Sequence, residues 1–404
     1  MKIFLLIADG LGDRPSEVLK GMTPLEAANK PNLNKMAHEG MVGLIDPIKP
    51  GIIPGSDTSH LNYLGYDPMK YYTGRGPFEA LGTGLKLEPG DIAFRANFAT
   101  VDEGFVVRDR RAGRIRKDTD KLAKSLNMEI DGVKIMFKEG TEHRGALVLR
   151  GKGLSPEVSE NDPHHEGLKV KMVQPLKDEA ERTAIILNEF FNRSHEILNS
   201  HPVNESRIKS GELPANAILF RGGGIVPDIP KFKELHGFSG GFVAAVALVS
   251  GICTLAGLKN YTPAGVTGSL DTNIEAKLTA GLEALKNEDF VIVNVKGTDI
   301  AGHDGDPIAK MKFIERIDQA IGKVLINRLD DVLFCFTGDH STPATVKEHT
   351  SDPVPILIYY KGSRADKIEN LAESQCRTGT LRIMGSDLMD VLKSHAGKAE
   401  KFGA

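Results

Sequence analysis

Ile3-Phe4-Leu5-Leu6-Ile7-Ala8-Asp9-Gly10 is an unbroken apolar run that stops at a carboxylate and a glycine. A half-exposed strand would alternate apolar and polar residues, so a continuous run of this length reads as a strand buried on both faces. The pattern returns far downstream. Phe290–Val295 is a short β-rich run followed by Thr298-Asp299-Ile300-Ala301-Gly302-His303, and Val332–Phe336 is followed by Gly338-Asp339-His340-Ser341. Ile356–Tyr360 is a further strand. Helical spacing covers Leu25–His38, with Gly40 as its stop, and Pro307–Arg328. Strands alternating with helices predict an α/β fold with a mainly parallel sheet and helices on both faces. Asp9, Asp299 and Asp339 then fall at or just past carboxyl ends of strands, where open α/β sheets hold their ligands.

Residues 85–232 read differently. Charged, alternating segments occur at Phe94–Thr100, Gly104–Arg108, Gly145–Arg150 and Lys169–Val173, and one long helical pattern spans Leu176–Phe191. No acidic strand-end signature occurs among them. This predicts an α+β domain at 85–232 set into a core made of 1–84 and 233–404. Gly82-Thr83-Gly84 and Gly222-Gly223-Gly224 are the expected joints. Phe242–Leu258 is the most apolar segment. It is marginal for a membrane span, carries Ser250, Gly251 and Thr254, and reads as a buried core helix. The tail Lys393–Ala404 is expected to fray.

A chain of 404 residues is long enough for two or three domains. Its net charge of −3 provides no global basic field to recruit nucleic acid or an anionic membrane. Three cysteines without a CxxC pair argue against a disulfide framework or a cysteine–zinc knuckle, and suit a reducing cytoplasm. The amino-terminal apolar run lacks a full signal-peptide core and cleavage site, so it reads as a core strand.

The donor residues suggest metal chemistry. Asp299 and His303 are four apart and would share one helix face. Asp339 and His340 are adjacent and diverge. His349, in His349-Thr350-Ser351-Asp352-Pro353, precedes the strand at Ile356. Carboxylates mixed with imidazoles suit Mn²⁺ or Zn²⁺ better than Mg²⁺ or Ca²⁺ alone. Taken singly, each Asp-Gly or Asp-His pair is usually a turn or a cap; their joint placement at strand ends is not explained that way. Serine is a weak nucleophile until a neighbouring cation lowers its pKa. Gly55-Ser56-Asp57-Thr58-Ser59-His60 leads into an apolar Leu61–Leu64 segment. A helix there would put Ser56 at its amino end, where the dipole favours phosphate. A plain N-cap is the competing reading of Ser56, and Thr58 and Ser59 are rival nucleophiles on spacing alone. The chain has no GK[ST] step and no Gly-rich kinase loop, which argues against nucleotide-dependent phosphotransfer.

As a set, Ala8-Asp9-Gly10, Gly55–Asn62, Asp299–His303, Gly338-Asp339-His340 and His349–Pro355 resemble the cofactor-independent phosphoglycerate mutases of the alkaline phosphatase superfamily. Tyr72–Glu79, Asp109–Arg114, Asp162-Pro163-His164 and Gly302–Asp306 resemble the archaeal branch. The resemblance runs over nearly the whole chain. It implies a phosphatase-like core with an inserted cap, and an isomerase that interconverts 3-phosphoglycerate and 2-phosphoglycerate through phosphoserine. It implies two divalent cations, Mn²⁺ foremost and Zn²⁺, Co²⁺ or Mg²⁺ as alternatives, with no nucleotide and no bisphosphoglycerate. Asp299, His303 and His349 would hold one ion; Asp9, Ser56, Asp339 and His340 would hold the other. Ser56 aligns as the nucleophile by its spacing to His60-Leu61-Asn62. The larger branch has Glu-Val-Gly where this chain has Asp57-Thr58-Ser59, which leaves Thr58 and Ser59 open. His60 reads as a support rather than a ligand.

A mutase must keep glycerate bound and water out, which gives a cap its purpose. Arg110, Arg111, Arg114 and Arg221 are the candidate forks for the substrate carboxylate. Asp162 and His164 are candidates to carry the hydroxyl proton, and Lys296 to meet the phosphate. A metal-dependent phosphomonoesterase or phosphopentomutase on the same core is the alternative function. The expected partner is a small phosphoglycerate, not nucleic acid or membrane.

Overall fold

The amino-terminal apolar run forms a strand, Lys2–Ala8, in which every side chain from Ile3 to Ala8 is fully buried. The computed structural model describes residues 1–88, 90–401 and 403. The chain divides into two compact units, Met1–Tyr71 with Ile229–Ala404, and Tyr72–Asp228. In chain order the strands are β1 (Lys2–Ala8) and β2 (Met41–Asp46); β3 (Ile92–Val101), β4 (Val107–Asp109), β5 (Met128–Ile130), β6 (Val133–Glu139), β7 (Arg144–Arg150) and β8 (Ala217–Ile225); and β9 (Gly240–Val243), β10 (Lys259–Asn260), β11 (Phe290–Val295), β12 (Val332–Thr337), β13 (Val354–Tyr359) and β14 (Leu381–Met384).

The first unit is built on a sheet in the order β10-β9-β11-β1-β12-β13-β2-β14. All its pairings are parallel except those of β13, which runs against both β12 and β2. The register explains the site. Ala8 pairs with Val295 and Ile7 with Thr337, so β11, β1 and β12 end level and side by side. Lys296, Asp9 and Gly338 therefore follow at one edge of the sheet. β13 is reversed, so the loop before it, with His349, reaches that same edge. The loop after β2 delivers the Ser56–Tyr63 helix.

The second unit is an antiparallel sheet, β4-β3-β7-β6-β5, with β8 also paired to β3. One face of the sheet, with Phe94, Phe98, Leu147 and Phe220, packs with Leu187 and Phe190 of the Glu181–Asn199 helix into a single apolar cluster.

Several sequence expectations are corrected in detail. Leu25–His38 is two helices, Pro24–Ala27 and Pro31–Glu39, because the residue before Pro31 is driven out of helical geometry. The helix expected at Pro307–Arg328 ends at Val324. Phe242 and Val243 belong to β9, and the apolar helix is only Ala247–Leu255. The helix placed at Leu176–Phe191 begins at Glu181 and runs to Asn199. Lys169–Val173 forms no strand and contributes only a bridge from Lys169 to Val106. The unit borders lie at Tyr71/Tyr72 and Asp228/Ile229 rather than at 84/85 and 232/233, since the Gly76–Gly82 helix packs on β3, β7 and β8.

Gly222-Gly223-Gly224 is no joint but part of β8. A Cβ on Gly223 would stand 2.4 Å from the Phe94 ring and one on Gly224 2.6 Å from the Thr73 carbonyl, so close packing accounts for these glycines. At the other end, Lys393–His395 close the Leu388–His395 helix instead of fraying, while Phe402 and Ala404 lie outside the described residues. Among the described residues no helix is long and apolar enough to cross a membrane.

Candidate metal centre

Asp9, Lys296, Asp299, Asp339 and His340 converge where β1, β11 and β12 end. Lys296 Nζ stands 2.7 Å from both Asp9 Oδ1 and Asp299 Oδ2. His340 Nε2 lies 3.5 Å from Asp9 Oδ1, 3.4 Å from Asp339 Oδ2 and 4.0 Å from Asp299 Oδ1. The Gly297–Asp304 helix puts Asp299 and His303 on one face, with His303 Nε2 3.4 Å from Asp299 Oδ1. His349 Nε2 approaches the same oxygen at 3.5 Å. Donor atoms of Asp9, Asp339 and His340 lie within 4.8 Å of one another, as do those of Asp299, His340 and His349.

The electrostatics follow from burying charge. Burial raises the Asp9 and Asp299 carboxyls, but the Lys296 ammonium together with His340 at Asp9, and with His349 and His340 at Asp299, outweighs it, and both lie well below the usual range. Burial opposes charge on Lys296, yet Asp9, Asp299 and Asp339 hold its pKa above the ordinary value. Asp339 Oδ2 is buried with no hydrogen-bond partner, although Asp339 Oδ1 accepts from the Gly10 amide at 2.9 Å. An unpartnered buried carboxylate oxygen is costly and calls for a cation. A second observation agrees. His303 Nδ1 faces the Lys347 carbonyl at 3.0 Å and His349 Nδ1 the Pro54 carbonyl at 2.9 Å, so each donates from Nδ1. Their Nε2 atoms then face each other at 3.2 Å, an arrangement that needs a proton or a metal between them. The donor set fits divalent cations.

Ser56 opens its helix after Gly55 and is mostly buried. Its Oγ lies 3.1 Å from His340 Nε2 and 3.5 Å from Lys296 Nζ. Of the rival hydroxyls, Thr58 Oγ1 is engaged with the Gly55 amide and carbonyl at the helix start. Ser59 Oγ is fully buried without a hydrogen-bond partner. His60 Nδ1 binds the Ser56 carbonyl at 2.7 Å and lies 3.6 Å from Asp339 Oδ2, the place of a support.

A family model described as 2,3-bisphosphoglycerate-independent phosphoglycerate mutase matches residues 37–204. A protein so named from Saccharolobus islandicus (strain M.14.25 / Kamchatka #1) is 51% identical over 410 residues, covering 100% of this chain and 99% of its own. The chain belongs to the 2,3-bisphosphoglycerate-independent phosphoglycerate mutase family. Solved structures agree. A Pyrococcus horikoshii protein matches with a TM-score of 0.86 at 40% identity, over 100% of this chain and 99% of that one. The cofactor-independent phosphoglycerate mutase from Thermoplasma acidophilum matches with a TM-score of 0.72 at 39% identity, over 98% of this chain and 100% of that one.

In this member of the mutase family the second unit gathers the other expected residues. Asp162 is almost fully buried and bound by a fork from Arg110, with Nε–Oδ1 at 3.2 Å and Nη2–Oδ2 at 2.6 Å. Arg221 Nη1 reaches Oδ2 at 2.8 Å, and the His164 amide donates to Oδ1 at 2.9 Å. Burial raises the Asp162 carboxyl, but the Arg110 hydrogen bond, the His164 amide and both arginine charges carry it below the usual range. Such a carboxylate orients arginines better than it accepts a proton. The His164 ring is exposed and pairs with Glu160. Arg110, Arg111, Arg114 and His164 line an open cavity of about 400 Å³ together with His165.

Sequence reasoning missed four supports. Asn294 Nδ2 donates to Asp9 Oδ2 at 3.2 Å, and the Thr298 hydroxyl binds the Asp9 carbonyl. Thr342 Oγ1 touches Asp299 and His340. Lys310, fully buried, binds Asp13 Oδ2 at 2.7 Å and the Gly12 and Thr342 carbonyls at 3.0 Å, tying the loops after β1 and β12 together. Only Lys310 left a trace in the sequence, as a charge on the apolar face of a helix.

Proposed function

We propose that this chain interconverts 3-phosphoglycerate and 2-phosphoglycerate without bisphosphoglycerate, through a phosphoserine at Ser56. The observation that carries the reading is the placement of the Ser56 hydroxyl against His340 and Lys296, inside a set of carboxylates and imidazoles that fits cations. Asp299, His303 and His349 would hold one divalent ion, and Asp9, Ser56, Asp339 and His340 the other, with Mn²⁺ the best match to the mixed donors. When bound, the ions lower the pKa of the hydroxyl and neutralise the phosphoryl oxygens.

The remaining work falls to side chains. Ser56 attacks phosphorus in line; the bond from phosphorus to the substrate O3 breaks, and the serine proton ends on that oxygen. Glycerate's O2 then attacks phosphoserine, the bond from phosphorus to Ser56 Oγ breaks, and the O2 proton returns to that Oγ, so no water is consumed. Lys296 is close enough to Ser56 to meet the phosphoryl charge as it develops. Asp162 holds Arg110 and Arg221 together, ready for a substrate carboxylate, with Arg111 and Arg114 beside Arg110 at the cavity, where His164 would exchange protons. The second unit is thus assigned the holding of glycerate. The three cysteines are buried and free, in keeping with a reducing cytoplasm.

The test is incubation with Mn²⁺ and 3-phosphoglycerate, with no bisphosphoglycerate added. 2-Phosphoglycerate should form, and a chelator should stop it. Free phosphate without 2-phosphoglycerate would favour a phosphomonoesterase on the same core and sink the mutase reading. Ser56→Ala should lower kcat by at least about a thousandfold while calorimetry still shows Mn²⁺ uptake; a wild-type rate would remove Ser56 as nucleophile.

A further inference from the structure

The Thr342 hydroxyl lies 2.8 Å from Asp299 Oδ1 and 2.9 Å from His340 Nδ1. A hydroxyl has one proton, and an ionised carboxylate only accepts. The Thr342 proton therefore goes to Asp299, and His340 Nδ1 must donate in turn. This fixes the neutral ring with its lone pair on Nε2, the atom that faces Ser56, Asp9 and Asp339. His303 and His349 have their Nδ1 protons set by backbone carbonyls. His340 differs: its Nδ1 is set by a side chain that also grips a carboxylate.

Thr342 is held for this task. It is fully buried; its amide donates to the Gly12 carbonyl at 3.1 Å, and its carbonyl accepts from Lys310 Nζ. Two glycines clear its surroundings. A Cβ on Gly10 would stand 2.8 Å from Thr342 Oγ1, and one on Gly302 would stand 2.3 Å from the Thr342 carbonyl oxygen. Either would push the hydroxyl off its two partners.

We propose that Thr342 is a positioning residue that couples the two candidate cation sites, one hydroxyl orienting Asp299 of the first and setting the tautomer of His340 of the second. The proposal rests on the two-cation reading above. Thr342 acts by orientation, since it is not itself among the assigned ligands. Groups that orient metal ligands typically contribute 10–100-fold in affinity, and here one group would act on both ions at once.

The experiment is Mn²⁺ titration by calorimetry and electron paramagnetic resonance of the wild-type protein, Thr342→Val and Thr342→Ser. Histidine side-chain ¹⁵N spectra of the metal-free proteins accompany it. The wild type should bind two ions, with His340 carrying its proton on Nδ1. Thr342→Val should weaken both sites by roughly 10–100-fold and lose that tautomer, and Thr342→Ser should restore both. Unchanged binding in Thr342→Val, or weakening at one site only, overturns the coupling while leaving the two-cation reading in place. A wild type that binds no pair of ions overturns that reading and the coupling with it. Should Thr342→Val fail to fold, the wild-type spectrum still decides, because His340 protonated on Nε2 contradicts the proposal.

Discussion

Asp162 shows how one residue can be legible in kind and not in role. Its place beside His164 marked it as polar chemistry, but only the fold brings Arg110 and Arg221 to its two oxygens. Its carboxyl lies below the ordinary range when folded, so its contribution to stability is present above the unfolded pKa of about 4 and is lost as pH falls through the folded value. Asp162→Asn should therefore cost about 1–3 kcal/mol near neutral pH, and the gap from wild type should close below about pH 4. Urea unfolding at several pH values checks this, and a gap that widens in acid would contradict it. The same variant should raise KM for phosphoglycerate more than it lowers kcat, if the arginines bind rather than react. Asp9, Asp299 and Asp339 were legible because each stands at or just past the end of an apolar run. Thr342 and Asn294 were not, because a hydroxyl or amide that touches such a side chain has no spacing of its own.

At the scale of elements, the strands announced by continuous apolar runs came out within a residue or two at β1, β11 and β12. The reversal of β13 was hidden, since nothing in Val354–Tyr359 encodes direction; yet that reversal brings His349 to the site. The Gly297–Asp304 helix gives a sharper test. Gly302→Ala should stabilise an ordinary helix by about 1 kcal/mol. Here the added carbon meets the Thr342 carbonyl oxygen at 2.3 Å, and overpacking of this kind costs about 1–3 kcal/mol. The expected outcome is a lower melting temperature together with weaker Mn²⁺ binding. A stabilised variant with normal binding would show that the loop after β12 yields freely. The helix Pro307–Val324 acts on the same loop from the other side through Lys310, a charge that helical spacing sets on its apolar face beside Phe313 and Ile314.

At the scale of the whole molecule, the change from buried parallel strands to charged alternating ones marked a second unit, but its borders were misplaced by the glycines. Gly223 and Gly224 are small because β8 packs tightly, not because the chain bends there. The unit has its own apolar cluster and its ends meet, the Thr73 hydroxyl binding the Ile225 carbonyl. Residues 72–228 expressed alone should therefore unfold cooperatively and give dispersed amide spectra; a chain with collapsed dispersion would show that its order depends on the rest. That meeting of ends bears on how the chain is made. β1 is synthesised first, yet its partners are β11 and β12, which emerge near the end. The entropy of bridging so long a tether grows with its length. An insert that folds on emergence takes residues 72–228 out of the tether and leaves only the short span of its neck in their place, so the order of synthesis favours the late pairing. Until then β1 and β2 wait with their apolar faces uncovered, and that interval is when the nascent chain is most exposed to aggregation.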